Sequence, residues 1–193
     1  MSDSFSLHVD DEIQLISPQP EMARSMLSLI ETNRVFLNRH ITFAHNKKEL
    51  KDVQAFLKEI ASFNFGGQKF NLLIQYKNEL AGIIGFHRIN SMDARAEIGY
   101  WLGESFQSLG IMTRAMPVFL HYGFEARGIN RVDLLTLPIH KRSLALAQRA
   151  GFTQEGVLRE YYFMHGQFYD AHIFSCLKSE FLSKNTRVAP RKV

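Results

Sequence analysis

The sequence predicts a mixed α/β fold, and three observations predict it. Segments with strand and helix periodicity follow one another in the order βααβββαβαββ. Three strand runs crowd the middle at the short spacing of an antiparallel meander. One strand–helix–strand crossover implies a locally parallel pair. At 193 residues with 46% hydrophobic content the chain has the length and composition of one packed domain, expected over 1–180.

The elements run as follows. "EIQLIS" (12–17) alternates polar and apolar residues and reads as an opening strand. "SPQPEMARSMLSLIETN" has prolines at its entrance and Met22, Met26, Leu27 and Ile30 at helical spacing. "NKKELKDVQAFLKEIASF" places Leu50, Val53, Phe56, Leu57 and Ile60 on one face of a second helix, closed by the glycines at 66 and 67. The meander is "KFNLLIQYK", a tight "NE" turn, "LAGIIGFHRIN" and, after "SMDAR", "AEIGYWLG". A helix "GIMTRAMPVFLHYGFEA" follows, with Pro117 in its first two turns. The strand "INRVDLLTL", the short helix "KRSLALAQRAGF" and the hairpin "GVLREYYFMHGQFYDAHIFSCLK" complete the chain.

The net charge of +4 is local. Lys184, Arg187, Arg191 and Lys192 lie in the last ten residues, and without them basic and acidic residues number 19 each. A neutral body with a solvated basic tail, expected at 181–193, argues against direct nucleic-acid binding. The single cysteine, Cys176, forms no disulfide within the chain and sits in the apolar run "HIFSCL", where it reads as a buried hydrophobe. No Cys/His spacing suggests a metal. The polar N-terminus lacks a signal pattern and no apolar run reaches membrane-spanning length, so a cytoplasmic enzyme or binding domain without membrane contact is expected.

Two stretches carry chemistry. In "YWLGESFQSLGIMTRAM" Gly110 opens a helix whose first amides lack intrahelical acceptors, with no acid between Gln107 and Met116. That combination suits a phosphate or pyrophosphate, or is an ordinary strand-to-helix turn. In "PIHKRSLALAQRAGF" His140 and Ser143 stand three apart, either as ligand-binding groups on one helical face or as caps.

Taken together, "AEIGYWLGESFQSLGIMTRA", "HKRSLALAQRAGFTQEGVLRE", "GFHRIN" and "FYD" resemble the GNAT superfamily of acyl-CoA-dependent N-acetyltransferases. Within it they resemble the branch that acetylates ribosomal-protein N-termini, nearest the serine-acetylating members, over about Glu12 to Leu177. The resemblance implies a central, mostly antiparallel sheet with a splayed parallel pair at the acyl-CoA site and helices on both faces. It implies acetyl-CoA as co-substrate, no metal, and a protein N-terminus as acceptor.

Residue by residue, the resemblance assigns the pyrophosphate loop to Gln107, Ser108, Leu109, Gly110, Ile111, Met112 and Thr113. Met112 stands where the family has a small residue. The backbone of Tyr100, Trp101 and Leu102 would pair with the pantetheine arm and hold the thioester carbonyl. His140, in place of the family's asparagine, and Ser143 would contact the pantetheine. Ser143 would also serve the departing thiolate, since the family's usual tyrosine is missing from "ALAQRA". The candidate bases are Glu97, at the start of the coenzyme-binding strand, and Glu160 in "LREYYF". Glu160 is two residues from the family position at Tyr162, hence expected on the same strand face. His87, His165, Tyr161, Asn38 and Arg39 fall in binding segments without a role of their own. Three functions stay open: N-terminal acetylation of a ribosomal protein, acetylation of a small amine (a polyamine, amino acid or amine-bearing toxin), and non-catalytic acyl-CoA binding. The terminal hairpin offers an edge for a homodimer.

Overall fold

The computed structural model describes residues 5–40 and 46–184; the basic tail from 185 onward lies outside them. The strands are β1 (Ser6–His8), β2 (Ile13–Ile16), β3 (Phe70–Tyr76), β4 (Glu79–Asn90), β5 (Arg95–Leu102), β6 (Arg131–Thr136), β7 (Thr153–Met164) and β8 (Gln167–Leu177). The helices are α1 (Ala23–Thr32), α2 (Arg34–His40), α3 (Leu50–Gly66), α4 (Ile111–Ala126), α5 (Lys141–Arg149) and α6 (Lys178–Lys184). Hydrogen bonding orders the strands β1-β2-β3-β4-β5-β6-β8-β7, and the pairing of β5 with β6 is parallel, as the crossover implied.

The described residues gather into two compact units, the first holding residues up to 86 and 100–111, the second 87–99 and 112–184. In the first, α1 and α3 lay their apolar faces on β3 and β4. Met26, Ile30, Val53 and Leu57 are fully buried with Leu73, and Trp101 packs partly buried against them. α3 opens with a capping box between Glu49 and Asp52 and stops at Gly67, whose φ of 79° reverses the chain. The β3–β4 turn is centred on Lys77 and Asn78, one residue earlier than expected, and both have the positive φ that a type I′ hairpin requires.

Gly82 of β4 brings that strand hard against the end of β5. A Cβ there would stand 2.1 Å from the Trp101 carbonyl oxygen and 3.0 Å from the Leu102 Cα, both backbone atoms. Gly82→Val is therefore expected to cost about 2–3 kcal/mol, read as a lowered urea midpoint.

In the second unit Phe119 and Phe124 of α4 are fully buried, and Phe124 meets Phe181 of α6 at 5.3 Å between ring centroids. Cys176 is buried, and desolvation pushes its thiol up to about 12, which keeps it protonated and unreactive. Arg131 of β6 ties the sheet laterally. Its Nε donates to buried Asp133 at 2.7 Å, and Nη1 donates to Glu155 Oε1 of β7 at 2.9 Å. Ser175 of β8 donates to the same carboxylate at 2.7 Å.

The Arg131 and Ser175 hydrogen bonds hold the Glu155 carboxyl down to about 2. A depressed carboxyl stabilises the fold above its unfolded value of about 4.3 and loses that contribution as pH falls towards 2. Because Glu155 is 40% exposed, screening limits the effect. Glu155→Gln should cost about 1 kcal/mol at neutral pH and nothing near pH 2, which denaturation at the two pH values checks.

Candidate active site

The first unit carries the segment expected to bind coenzyme. Gly103 N–H at the end of β5 donates to the Ala81 carbonyl at 2.9 Å. Buried Asn33, next to the end of α1, accepts the Glu104 N–H at 2.6 Å and so fixes the exit from the strand. The chain then passes through Gln107 into a loop with left-handed backbone at Ser108 (φ 62°) and Gly110 (φ 73°). Turns of this kind direct successive N–H groups to one side and cradle anions.

The loop fits a pyrophosphate on three counts. Ser108, Leu109 and Gly110 are exposed, and nothing lies within 4 Å of where a Gly110 Cβ would stand. The first turn of α4 holds no acid. Met112, the departure from a small residue, is only 8% exposed, so its side chain joins the core and leaves the loop surface clear.

The second unit carries the candidate base. Glu97 lies on β5 opposite Asp133 of β6, half-buried with 24% of its side chain exposed. Its Oε2 accepts from Nη1 of Arg88 on β4 at 3.2 Å. The same nitrogen reaches the Tyr161 hydroxyl on β7 at 3.3 Å. The Tyr161 and Tyr162 rings meet edge to face at 4.9 Å.

Burial pushes the Glu97 carboxyl above the ordinary glutamate range, with nearby Asp133 adding to the rise and Arg88 and Arg95 opposing it. Burial, reinforced by the charge of Glu97, pushes the Tyr162 phenol up to about 12. Glu97 is thus a desolvated carboxylate of raised proton affinity, the property a general base near neutral pH needs.

Glu160 sits differently. Leu158 pairs with Ala171 and Tyr162 with Tyr169, so Arg159, Glu160 and Tyr161 together oppose Asp170 in a bulge. Glu160 has φ 51° at that bulge, and its N–H donates to Asp170 Oδ1 at 2.8 Å. The strict alternation that put Glu160 on the face of Tyr162 does not hold across this kink. The carboxylate is exposed in a wide, open depression of about 800 Å³ with Val157 and Asp170.

At α5, His140 occupies the N-cap position with no side-chain cap hydrogen bond, and Ser143 N–H donates to its carbonyl at 2.9 Å. His140 and Ser143 are both half-buried, ahead of the buried Leu146 and Ala147. His87 lies over Gly99, where a Cβ would come within 2.8 Å of its Nε2. Arg88 is the partner sequence reasoning missed. In "GFHRIN" it looks like an outward strand residue, and only its φ of 49° turns it towards Glu97. Among the described residues no three His, Cys, Asp or Glu side chains gather as a metal site, and no helix is long and apolar enough to cross a membrane.

The chain is similar to known acetyltransferases in sequence and in fold. The family model described as acetyltransferase (GNAT) domain matches residues 14–153. The putative ribosomal N-acetyltransferase YdaF of Bacillus subtilis is 29% identical over 91% of this chain and 97% of its own. The ribosomal-protein-serine acetyltransferase of Escherichia coli is 24% identical over 88% of this chain and 95% of its own. Among solved structures, the microcin C7 self-immunity acetyltransferase MccE, in complex with acetyl-CoA and AMP, superimposes with a TM-score of 0.83 at 32% identity. That superposition covers 88% of this chain and 94% of that one.

Proposed function

The chain belongs to the GNAT acetyltransferase family, and from that premise we propose that it transfers the acetyl group of acetyl-CoA to the N-terminal α-amino group of a ribosomal protein that begins with serine. Bound acetyl-CoA supplies an activated acyl carbon and a thiolate leaving group. The loop from Gln107 to Thr113 would hold its pyrophosphate through backbone N–H groups, and the backbone of Tyr100, Trp101 and Leu102 its pantetheine arm, which His140 would also contact. Glu97 takes the proton that the attacking amine nitrogen loses as the new C–N bond forms. The Ser143 hydroxyl hydrogen-bonds the sulfur as the C–S bond breaks. Glu160 stands on the exposed bulge of β7, where it would meet the acceptor.

The observation that carries the chemistry is Glu97, a half-buried carboxylate of raised proton affinity on the strand that runs on into the coenzyme segment. The ribosomal names of the two relatives that align along nearly the whole chain support this acceptor. A carboxylate base suits an α-amine better than a lysine. At pKa about 8, against about 10.4 for lysine, the neutral form is favoured by about 3 kcal/mol.

The likeness to the microcin self-immunity enzyme favours a second reading, in which the amine belongs to a small nucleotide-bearing compound. Mass spectrometry of acetyl-CoA reactions separates the two. A lysine-free peptide with free N-terminal serine should gain one acetyl group. A peptide with blocked terminus and internal lysine, spermidine, and an amine-bearing AMP conjugate should not. Acetylation of the AMP conjugate or spermidine alone would replace the ribosomal reading.

A further inference from the structure

We propose that Arg88 is a positioning residue for acetyl transfer: its guanidinium holds the Glu97 carboxylate ionised and in one orientation, and the Tyr161 hydroxyl holds the guanidinium. The proposal rests on the reading of Glu97 as the base.

Two departures from regular strand geometry converge on this carboxylate. On β5, Glu97 and Gly99 project to the same face, since strand side chains alternate. Yet two consecutive residues of β4 reach that face, His87 over Gly99 and Arg88 to Glu97. A regular strand would send one of them to the other side; the left-handed backbone at Arg88 (φ 49°) breaks the alternation. β7 shows the same pattern. Tyr161 and Tyr162 are consecutive, but the bulge with left-handed Glu160 lets Tyr161 bond Arg88 while Tyr162 sits within the field of Glu97.

Neither position is a glycine, so each carries about 1 kcal/mol or more of backbone strain. Strain persists where the surroundings fix it, and here both kinks serve one ion pair. That pair contributes little to stability, because the Arg88 side chain is 73% exposed. Its value lies in what it does to Glu97.

The groups facing Glu97 from each packed element sort cleanly. Asp133 from β6 and the desolvating environment favour the neutral acid. Arg95 on β5 opposes them but also engages Asp133, Nε to Oδ2 at 3.3 Å. Tyr161 and Tyr162 from β7 bring neutral phenols. Arg88 from β4 makes the direct hydrogen bond to the carboxylate. Without it the base would be protonated over a wider pH range and turned by its remaining neighbours.

The test is kcat/KM for a serine-initiated peptide from about pH 6 to about pH 9 in the wild type and in Arg88→Gln, Arg88→Lys, Tyr161→Phe and Glu97→Gln. Calorimetric acetyl-CoA binding serves as the folding control. Gln, unbranched at Cβ like Arg, accepts the same backbone angle while removing the charge and the reach to Glu97. Dividing each variant profile by the wild-type profile cancels the titration of the amine. The ratio for Arg88→Gln should be about tenfold down at the acid end and climb towards one at the basic end. Arg88→Lys should recover most of the loss, and Tyr161→Phe should show a smaller loss of the same slope. A ratio for Arg88→Gln that is flat with pH, at whatever height, overturns the positioning role. If Glu97→Gln stays inactive while that ratio is flat, the base stands and only Arg88 falls. If Glu97→Gln keeps wild-type activity, the base assignment falls and takes this proposal with it.

Discussion

Glu97→Gln lowers kcat for acetyl transfer by about 100- to 1,000-fold while leaving acetyl-CoA affinity within about twofold of wild type. The amide keeps the shape of the carboxylate and can still meet the Arg88 side chain, so the strand register survives. Lost is the carboxylate proposed to take the proton from the amine. Because burial raises the Glu97 carboxyl, the wild type should lose activity on the acid side at higher pH than an exposed glutamate would impose. The sign is fixed: a raised carboxyl binds its proton earlier as pH falls and stops acting as a base there. In Glu97→Gln that inflection disappears and the titration of the amine remains. Thermal stability should not fall, since the substitution removes a charge from a half-buried site. Rapid-mixing single turnovers with prebound acetyl-CoA would separate this loss from slow product release.

Gly110→Asp has the next largest effect, on the coenzyme. The left-handed backbone there is one that aspartate adopts more readily than most residues, and its side chain meets open space. The fold is therefore spared. The added carboxylate stands at the start of α4, where the helix amides would otherwise face only phosphate. Repulsion should weaken acetyl-CoA binding about ten- to thirtyfold, an effect that shrinks as salt is added. Gly110→Asn, with the same shape and no charge, should cost about threefold or less. Calorimetric titration of the two variants separates charge from bulk, and equal losses in both would remove the anion-site account of the loop.

Much of the architecture was legible because it is written in local periodicity. The stripe of Val53, Leu57 and Ile60 predicted α3, and those residues are buried against α1. The central meander followed from its three apolar runs, and the parallel pairing of β5 with β6 from one crossover. β1 escaped notice because "SLH" is too short to show alternation. It exists through its pairing with β2, which buries Leu7 completely. α2 also went unread, in "RVFLNRH", where Val35 remains largely exposed while Leu37 is fully buried.

The candidate site divides the same way. The loop at Gly110 stood out by residue type as one of two readings, and the resemblance singled out the carboxylate of Glu97. The surroundings of Glu97 could not be read from the sequence. They come from a kink at Arg88 and a bulge before Tyr162, and neither left-handed position, Arg88 nor Glu160, is a glycine that would announce it. The bulge also decides where Glu160 stands, which strict alternation misplaced. Nonlocal contacts hold these angles, so no window of sequence contains the signal.

The account turns on which amine receives the acetyl group. One peptide that carries both a free N-terminal serine and an internal lysine, incubated with acetyl-CoA near neutral pH and sequenced by tandem mass spectrometry, puts the two amines in direct competition. The account predicts acetyl on the serine nitrogen alone, with the label lost in Glu97→Gln. Acetyl on the lysine, or on neither amine while acetyl-CoA remains bound, would contradict it.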